Sequence, residues 1–272
     1  MIGQEKLLSK LNKINTLDDI SKSIIVVGES GSGRHLFINE LFDRFTIDIV
    51  NIDFELSLDI LNDMYALSIP KVYVVDLDKL GEHKRIERFQ NTILKFLEEP
   101  PKFAWIIILC SNIDNVLYTI KNRCQIYKIQ PYSLRDLRQI ADTYNKNYTD
   151  NVLKLLRTPG NIIYKDISQI NELITLSKTI IESIGNATPA NALSIRDKFF
   201  REENPLDLDM FIDILYNEIF TYYREKDYSE KYFKMYLLTS QLKKDLRVLG
   251  VNKKYLIDNY LLELKDIYAR FS

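Results

Sequence analysis

Hydrophobic positions follow two different rhythms along this chain, and the change comes at Pro131. Before it, apolar residues gather in short runs, continuous at Ile24 to Val27, Val72 to Val75 and Trp105 to Leu109, with further strands expected at Ile47 to Ile52 and Ile126 to Ile129. Runs of this length, rich in β-branched residues, suit parallel strands buried on both faces. Helical spacing fills the intervals at Arg34 to Phe45, Ser57 to Ser68 and Ile86 to Leu97. Strand and helix in alternation predict an α/β fold with a doubly wound parallel sheet over residues 1–130.

After Pro131 the strand signal stops. Ser133 is placed to cap a helix with Asp136 three residues on, a variant of the capping box. Short helices then run to about Asp166, broken at Thr158-Pro159-Gly160, which sets off a small helical lid over residues 131–166. From Ile167 onward the pattern is amphipathic helix throughout, giving an all-α domain over residues 167–272 with breaks near Gly185-Asn186, Asn204-Pro205 and Gly250. Leu208, Phe211, Ile212, Leu215, Ile219 and Tyr222 define one apolar face. Tyr255, Ile257, Leu261, Leu264 and Tyr268 approximate another, and the many tyrosines here fit core and interface better than base stacking.

Composition narrows the function classes. A chain of 272 residues has room for two or three cores, and its net charge of −1 argues against a dominant nucleic-acid-binding surface. Cys110 and Cys124 are too few for a disulfide framework or a four-cysteine zinc site, and no metal ligands are predicted. There is no signal peptide and no apolar run of the ~18 residues that span a bilayer, so a soluble, cytoplasmic protein is expected.

The first chemistry-bearing motif is Gly28-Glu29-Ser30-Gly31-Ser32-Gly33-Arg34-His35, between a strand and a helix. Glycines there allow backbone N–H groups to turn inward on a phosphate at the helix N-terminus. Against the template GxxxxGK[ST] the glycines fit, but Arg34 replaces lysine and His35 replaces the hydroxyl. A planar guanidinium is not a compact ammonium. Imidazole is also a poor ligand for Mg²⁺, which prefers oxygen.

The stretch Asn91 to Ile129 is the most distinctive: a helix ending Leu97-Glu98-Glu99-Pro100-Pro101, a buried strand, the polar tip Ser111-Asn112, then a second helix delivering Asn122-Arg123-Cys124. The proline pair stops the first helix for steric reasons. In order and spacing these parts resemble the clamp-loader branch of the AAA+ ATPases, and within it the family of delta-prime subunits of the bacterial DNA polymerase III clamp loader and their phage-encoded relatives. The likeness covers residues 1 to about 165 by motif, beginning at Ile2-Gly3-Gln4-Glu5.

That resemblance implies roles. Lys71 to Asp78 becomes a Walker B strand, with Asp76 on the Mg²⁺-binding aspartate and Leu77 where active enzymes carry a catalytic glutamate. Asp78, one residue further along an extended strand, is expected to point to the other face. Ser111 and Asn112 fall at the sensor-1 position, and Ile163 stands where active relatives place a sensor-2 arginine. Arg123 corresponds to the arginine finger that meets the nucleotide of an adjacent subunit. Asn122 departs from the usual serine, and the four-cysteine zinc module of many relatives is missing. The implied protein is a largely non-catalytic stator that lends Arg123 to a neighbouring ATPase and helps load the sliding clamp on primer-template DNA. Its partners would be tau/gamma and delta subunits in a hetero-pentamer, with its own loop holding ATP or ADP weakly and without efficient hydrolysis. Two alternatives stay open: an active AAA+ ATPase with an unusual loop, and a P-loop-fold binding module outside replication.

Overall fold

The structure is a computed structural model describing residues 1–52, 58–80, 83–248 and 251–271. Ser57 and Gly250, each named above as an expected helix start or break, lie outside the described residues. The chain divides into two compact units, Met1–Tyr164 and Lys165–Ser272.

In the first unit, β1 (Ser23–Val27), β2 (Asp48–Ile52), β3 (Lys71–Asp76), β4 (Ala104–Cys110) and β5 (Gln125–Lys128) form one parallel sheet in the order β2-β3-β4-β1-β5. The predicted runs therefore all become strands, shifted by a residue or so at their ends. The centre belongs to the most continuously apolar segments, since a middle strand has neighbours on both edges and layers on both faces. β4 is buried at every position and β1 at four of its five.

Helices α1 (Glu5–Leu11), α2 (Arg34–Phe42), α3 (Leu58–Tyr65), α4 (Leu77–Leu80), α5 (His83–Glu98) and α6 (Tyr118–Lys121) complete this layer structure. The helix expected to reach Phe45 ends at Phe42 and tightens into a 3₁₀ turn, Asp43–Phe45, before Thr46 turns left-handed at φ 51°. The one expected to reach Ser68 ends at Tyr65. Phe37, Ile38, Leu41 and Phe42 drive α2 into the sheet, where Phe42 meets Trp105 edge-on at 6.5 Å. Trp105 Nε1 donates to the Ile20 carbonyl at 3.3 Å, so the largest core side chain also satisfies its polar atom. The proline pair ends α5 at Glu98, as its sterics require.

α7 (Leu134–Thr143), α8 (Asp150–Leu156) and α9 (Pro159–Tyr164) follow. The capping box forms as read: the Asp136 N–H donates to Ser133 Oγ at 3.2 Å and the Ser133 N–H to Asp136 Oδ2 at 2.9 Å. Pro159 sits in the first turn of α9, where its missing N–H costs nothing.

The second unit is all helix: α10 (Ile167–Ser183), α11 (Pro189–Phe200), α12 (Leu208–Glu225), α13 (Glu230–Asp245) and α14 (Lys253–Arg270). Phe211, Ile212, Leu215 and Ile219 are buried along α12 as predicted, joined by Met210 and Ile214. The α14 face needs correction. Tyr255 is 61% exposed, and the buried tyrosine is Tyr260, whose hydroxyl lies 2.8 Å from Thr239 Oγ1. The stripe is Ile257, Tyr260, Leu261 and Leu264 at spacings of three and four, which leaves Tyr255 in the first turn off the face. The turn between α12 and α13 was not legible either, since it holds no glycine or proline. Asp227 and Tyr228 take φ of 48° and 58° there, a conformation residues with a Cβ seldom adopt.

Replacing Ile107, wholly buried in β4, by alanine should lower the unfolding free energy by about 2–5 kcal/mol. Urea denaturation followed by circular dichroism measures this; a loss below about 0.5 kcal/mol would contradict the central placement of β4.

Candidate functional site

The glycine loop begins where β1 ends. The Gly28 N–H donates to the Cys110 carbonyl at 3.1 Å, extending the β1–β4 ladder into the loop. Gly31 and Gly33 take φ of 75° and 93°, left-handed values that let the chain reverse and present the start of α2. Gly31 has a second reason to lack a side chain, because a Cβ there would meet Thr158 Oγ1 at 2.8 Å.

Arg34 opens α2 and turns beneath the loop, where it is only 7% exposed. Its Nη1 donates to Asp78 Oδ2 at 2.6 Å, and its Nη2 lies 3.5 Å from Asp76 Oδ2. This corrects the expectation for Asp78. The strand stops at Asp76 and the chain enters the short helix α4 at Leu77, so strand alternation no longer applies and Asp78 swings toward Arg34. The Asp78 N–H donates to Asp76 Oδ1 at 3.2 Å, fixing that turn. Asp78 Oδ1 in turn accepts from the Ser111 N–H at 3.1 Å and from Ser111 Oγ at 2.9 Å.

Of the polar tip after β4, Ser111 therefore joins the site and Asn112 does not. Asn112 Oδ1 accepts from the Asp114 N–H at 3.0 Å and caps a local 3₁₀ turn. His35 is half exposed, with Nε2 3.9 Å from Asp76 Oδ2. Burial pushes the Asp76 carboxyl up, but the His35 side chain, the Arg34 guanidinium and the Asp78 N–H outweigh it and hold the group below the ordinary 3.8. The Cys110 thiol behind it is pushed up to about 12 by burial, so it is packing rather than a thiolate.

The helices after β5 close over the loop. The Gly160 N–H at the head of α9 donates to the Gly31 carbonyl at 2.8 Å, and a Cβ on Gly160 would stand 2.7 Å from Gly31 Cα. The Tyr132 hydroxyl donates to the Ser32 carbonyl at 2.8 Å. Between loop and helices lies a pocket of about 230 Å³, lined by Ser32, Ile129, Tyr132, Leu137, Arg157 and Thr158 among others. Ser32 Oγ and Thr158 Oγ1 are buried there without a hydrogen-bond partner. Ile163, at the position expected for a sensor arginine, lies on α9 and offers no charge.

Arg123 sits apart from these groups, just beyond α6. Its Nη1 donates to the Thr119 carbonyl at 2.9 Å and its Nη2 to Glu98 Oε1 at 3.1 Å, with 38% of the side chain exposed. The structure thus brings Gly28, Gly31, Gly33, Arg34, His35, Asp76 and Ser111 together and leaves Asn112 and Arg123 elsewhere. Sequence reading set Asp78 aside on strand alternation, named Gly160 only as the start of a helix, and missed Tyr132 and Thr158 as parts of the site. Only Thr158 and Gly160 carried a signal, as a break between helices.

A five-stranded parallel sheet with a glycine loop after β1, an acidic end to β3 and a helical extension is the P-loop fold found in the AAA+ class. Within it, the family described as DNA polymerase III, delta subunit, matches residues 70–133, which take in β3, α5, β4 and Arg123. The DNA polymerase III gamma subunit of Buchnera aphidicola subsp. Baizongia pistaciae is 24% identical over 70% of this chain and 42% of its own length. The delta-prime subunit of Buchnera aphidicola subsp. Schizaphis graminum is 23% identical over 71% of this chain and 57% of its own length. The chain thus spans about half the length of these curated relatives. A gamma subunit-related protein from Thermotoga maritima shares the fold, with a TM-score of 0.51 at 16% identity over 96% of this chain and 98% of that one. This chain is similar to the DNA polymerase III gamma and delta-prime subunits at these levels.

Two outcomes follow from the loop geometry. Stability contributed by Asp76 should be complete above its ordinary value of 3.8 and drain away as pH falls below it, because the folded group holds its charge to lower pH than the unfolded one. Asp76→Asn should therefore flatten the acid limb of a melting-temperature profile below about pH 4, and an unchanged limb would contradict the pairing. Gly31→Ala should cost at least about 1–2 kcal/mol from its left-handed backbone alone, read as a lowered melting temperature.

Proposed function

We propose that the chain acts as a clamp-loader subunit of the delta-prime kind: a stator that does not hydrolyse ATP efficiently and lends Arg123 to the nucleotide site of a neighbouring ATPase subunit. The observation that carries this reading is the state of Arg34. Residue types needed for a magnesium nucleotide are missing at His35 and Leu77, and the Arg34 guanidinium already engages the carboxylates of Asp76 and Asp78. The donor set does not fit Mg²⁺–ATP. Any ATP or ADP would be held weakly, through the backbone of the glycine loop and the adjoining pocket.

Arg123 supports the second half of the reading. Its two contacts aim the guanidinium along the end of α5 while leaving part of it open to solvent. Exchanging an exposed Glu98 contact for a phosphate costs little, because surface pairs of this kind contribute about 0–1 kcal/mol. The partners proposed are tau/gamma and delta subunits, with the sliding clamp and primer-template DNA reached through the assembled complex. The same two contacts also fit an arginine that merely caps α6, which is the reading expected of a module outside replication.

An ATPase assay on the chain alone, and on the complex with its cognate tau/gamma and delta subunits, separates these readings. The isolated chain should show no turnover. In the complex, Arg123→Ala should lower turnover by a factor on the order of 10³ without preventing assembly. Turnover by the isolated chain, abolished by Asp76→Asn, would instead make this an active ATPase, and an assembled complex indifferent to Arg123→Ala would reduce the residue to a cap.

A further inference from the structure

The β5 edge of the sheet carries a feature that the nucleotide loop does not explain. β5 pairs with β1 on one side and with no other strand among the described residues. The Ile129 N–H donates to the Val27 carbonyl at 2.8 Å, so Ile129, Tyr127 and Gln125 form the row facing β1. Alternation then turns the N–H and C=O groups of Ile126, Lys128 and Gln130 outward.

The last member of that outward row is already paired, and by a side chain. The Gln130 N–H donates to Gln4 Oε1 at 2.9 Å, and Gln4 Nε2 donates to the Gln130 carbonyl at 2.9 Å. One buried glutamine amide therefore stands where the peptide group of a sixth strand would stand. The ladder continues beyond it as a groove of about 670 Å³ whose floor is β5 and whose wall is α1.

The groove is basic. Lys6, Lys10 and Lys128 line it and are exposed, Glu5 is the one acidic residue among its lining, and none of the three lysines forms an ion pair with a described residue. Ile126, half-buried in the floor, offers an apolar contact between the cationic positions. Open edges normally risk indiscriminate pairing, and lysine is a common residue for blunting them. Lysines beside a groove that already holds a strand-like amide also select for opposite charge.

We propose that β5 accepts an extended acidic segment of another protein chain as a sixth strand, continuing the row begun by Gln4. Backbone hydrogen bonds to Ile126 and Lys128 hold the segment, and its carboxylates meet Lys6, Lys10 and Lys128. The Gln130 side chain, which now reaches the Lys128 carbonyl at a long 3.4 Å, turns aside when the segment binds.

The test uses the full chain and a capped peptide alternating glutamate with valine, followed by titration and by amide hydrogen exchange. Binding tighter than about 1 mM is expected, weakened about tenfold or more in the charge-reversed triple variant K6E/K10E/K128E. Higher salt should weaken it too. The Ile126 and Lys128 amides should exchange more slowly in the complex, while Lys128→Pro, which removes one outward N–H and no ladder bond, should weaken binding without unfolding the sheet. No binding at that concentration overturns the proposal. So does equal binding of a lysine–valine peptide, binding without protection of those two amides, or preference for single-stranded DNA over the acidic peptide.

Discussion

A buried cation organises the ligand end of this sheet. Arg34 lies almost entirely out of water, and a buried guanidinium is tolerated only when carboxylates meet it with good geometry. Asp76 and Asp78 do so, and each has a second tie: Asp76 to the turn into α4, Asp78 to the end of β4 through Ser111. One charge cluster thus joins the start of α2 to the ends of β3 and β4. Removing Arg34 would leave the buried Asp76 carboxylate without its guanidinium partner, which costs more than losing a surface pair.

The same cluster supports the proposal that this loop does not hydrolyse ATP. An active site keeps its carboxylates for a metal and its cation for phosphate. Here the protein's own cation meets its own carboxylates, so the guanidinium is compensated without a ligand. Closure by the later helices acts in the same direction. The hydrogen bond from Gly160 to Gly31 brings two backbones so close that neither residue tolerates a Cβ, and Tyr132 holds the neighbouring carbonyl. A loop tied at both ends needs no nucleotide to keep its shape.

Much of this was readable in advance, for local reasons. The continuous apolar runs became β1, β3 and β4, which are buried on both faces, and the proline pair stopped α5 because its ring excludes the next helical turn. Ser133 and Asp136 capped α7 within four residues of chain. The second unit was less legible. Tyr255 and Tyr260 are chemically the same residue, and where α14 begins decides that Tyr260 shares the buried face with Ile257, Leu261 and Leu264 while Tyr255 falls off it. The left-handed turn at Asp227 and Tyr228 is held by the helices that flank it, and neither residue announces it.

The sequence by itself determined the fold class, the loop with its missing lysine and hydroxyl, and the position of Arg123, since each depends on residue type and spacing along one stretch of chain. Tertiary structure decided what those residues do to one another. Asp78 was set aside on strand alternation, yet it is the nearest carboxylate to Arg34, because the strand ends one residue earlier than that argument assumed. Thr158 and Gly160 lie far along the chain from the glycine loop and reach it only once the sheet and the later helices are assembled. Charge pairing, burial and close backbone approach are properties of distances in space, which spacing along a chain does not encode.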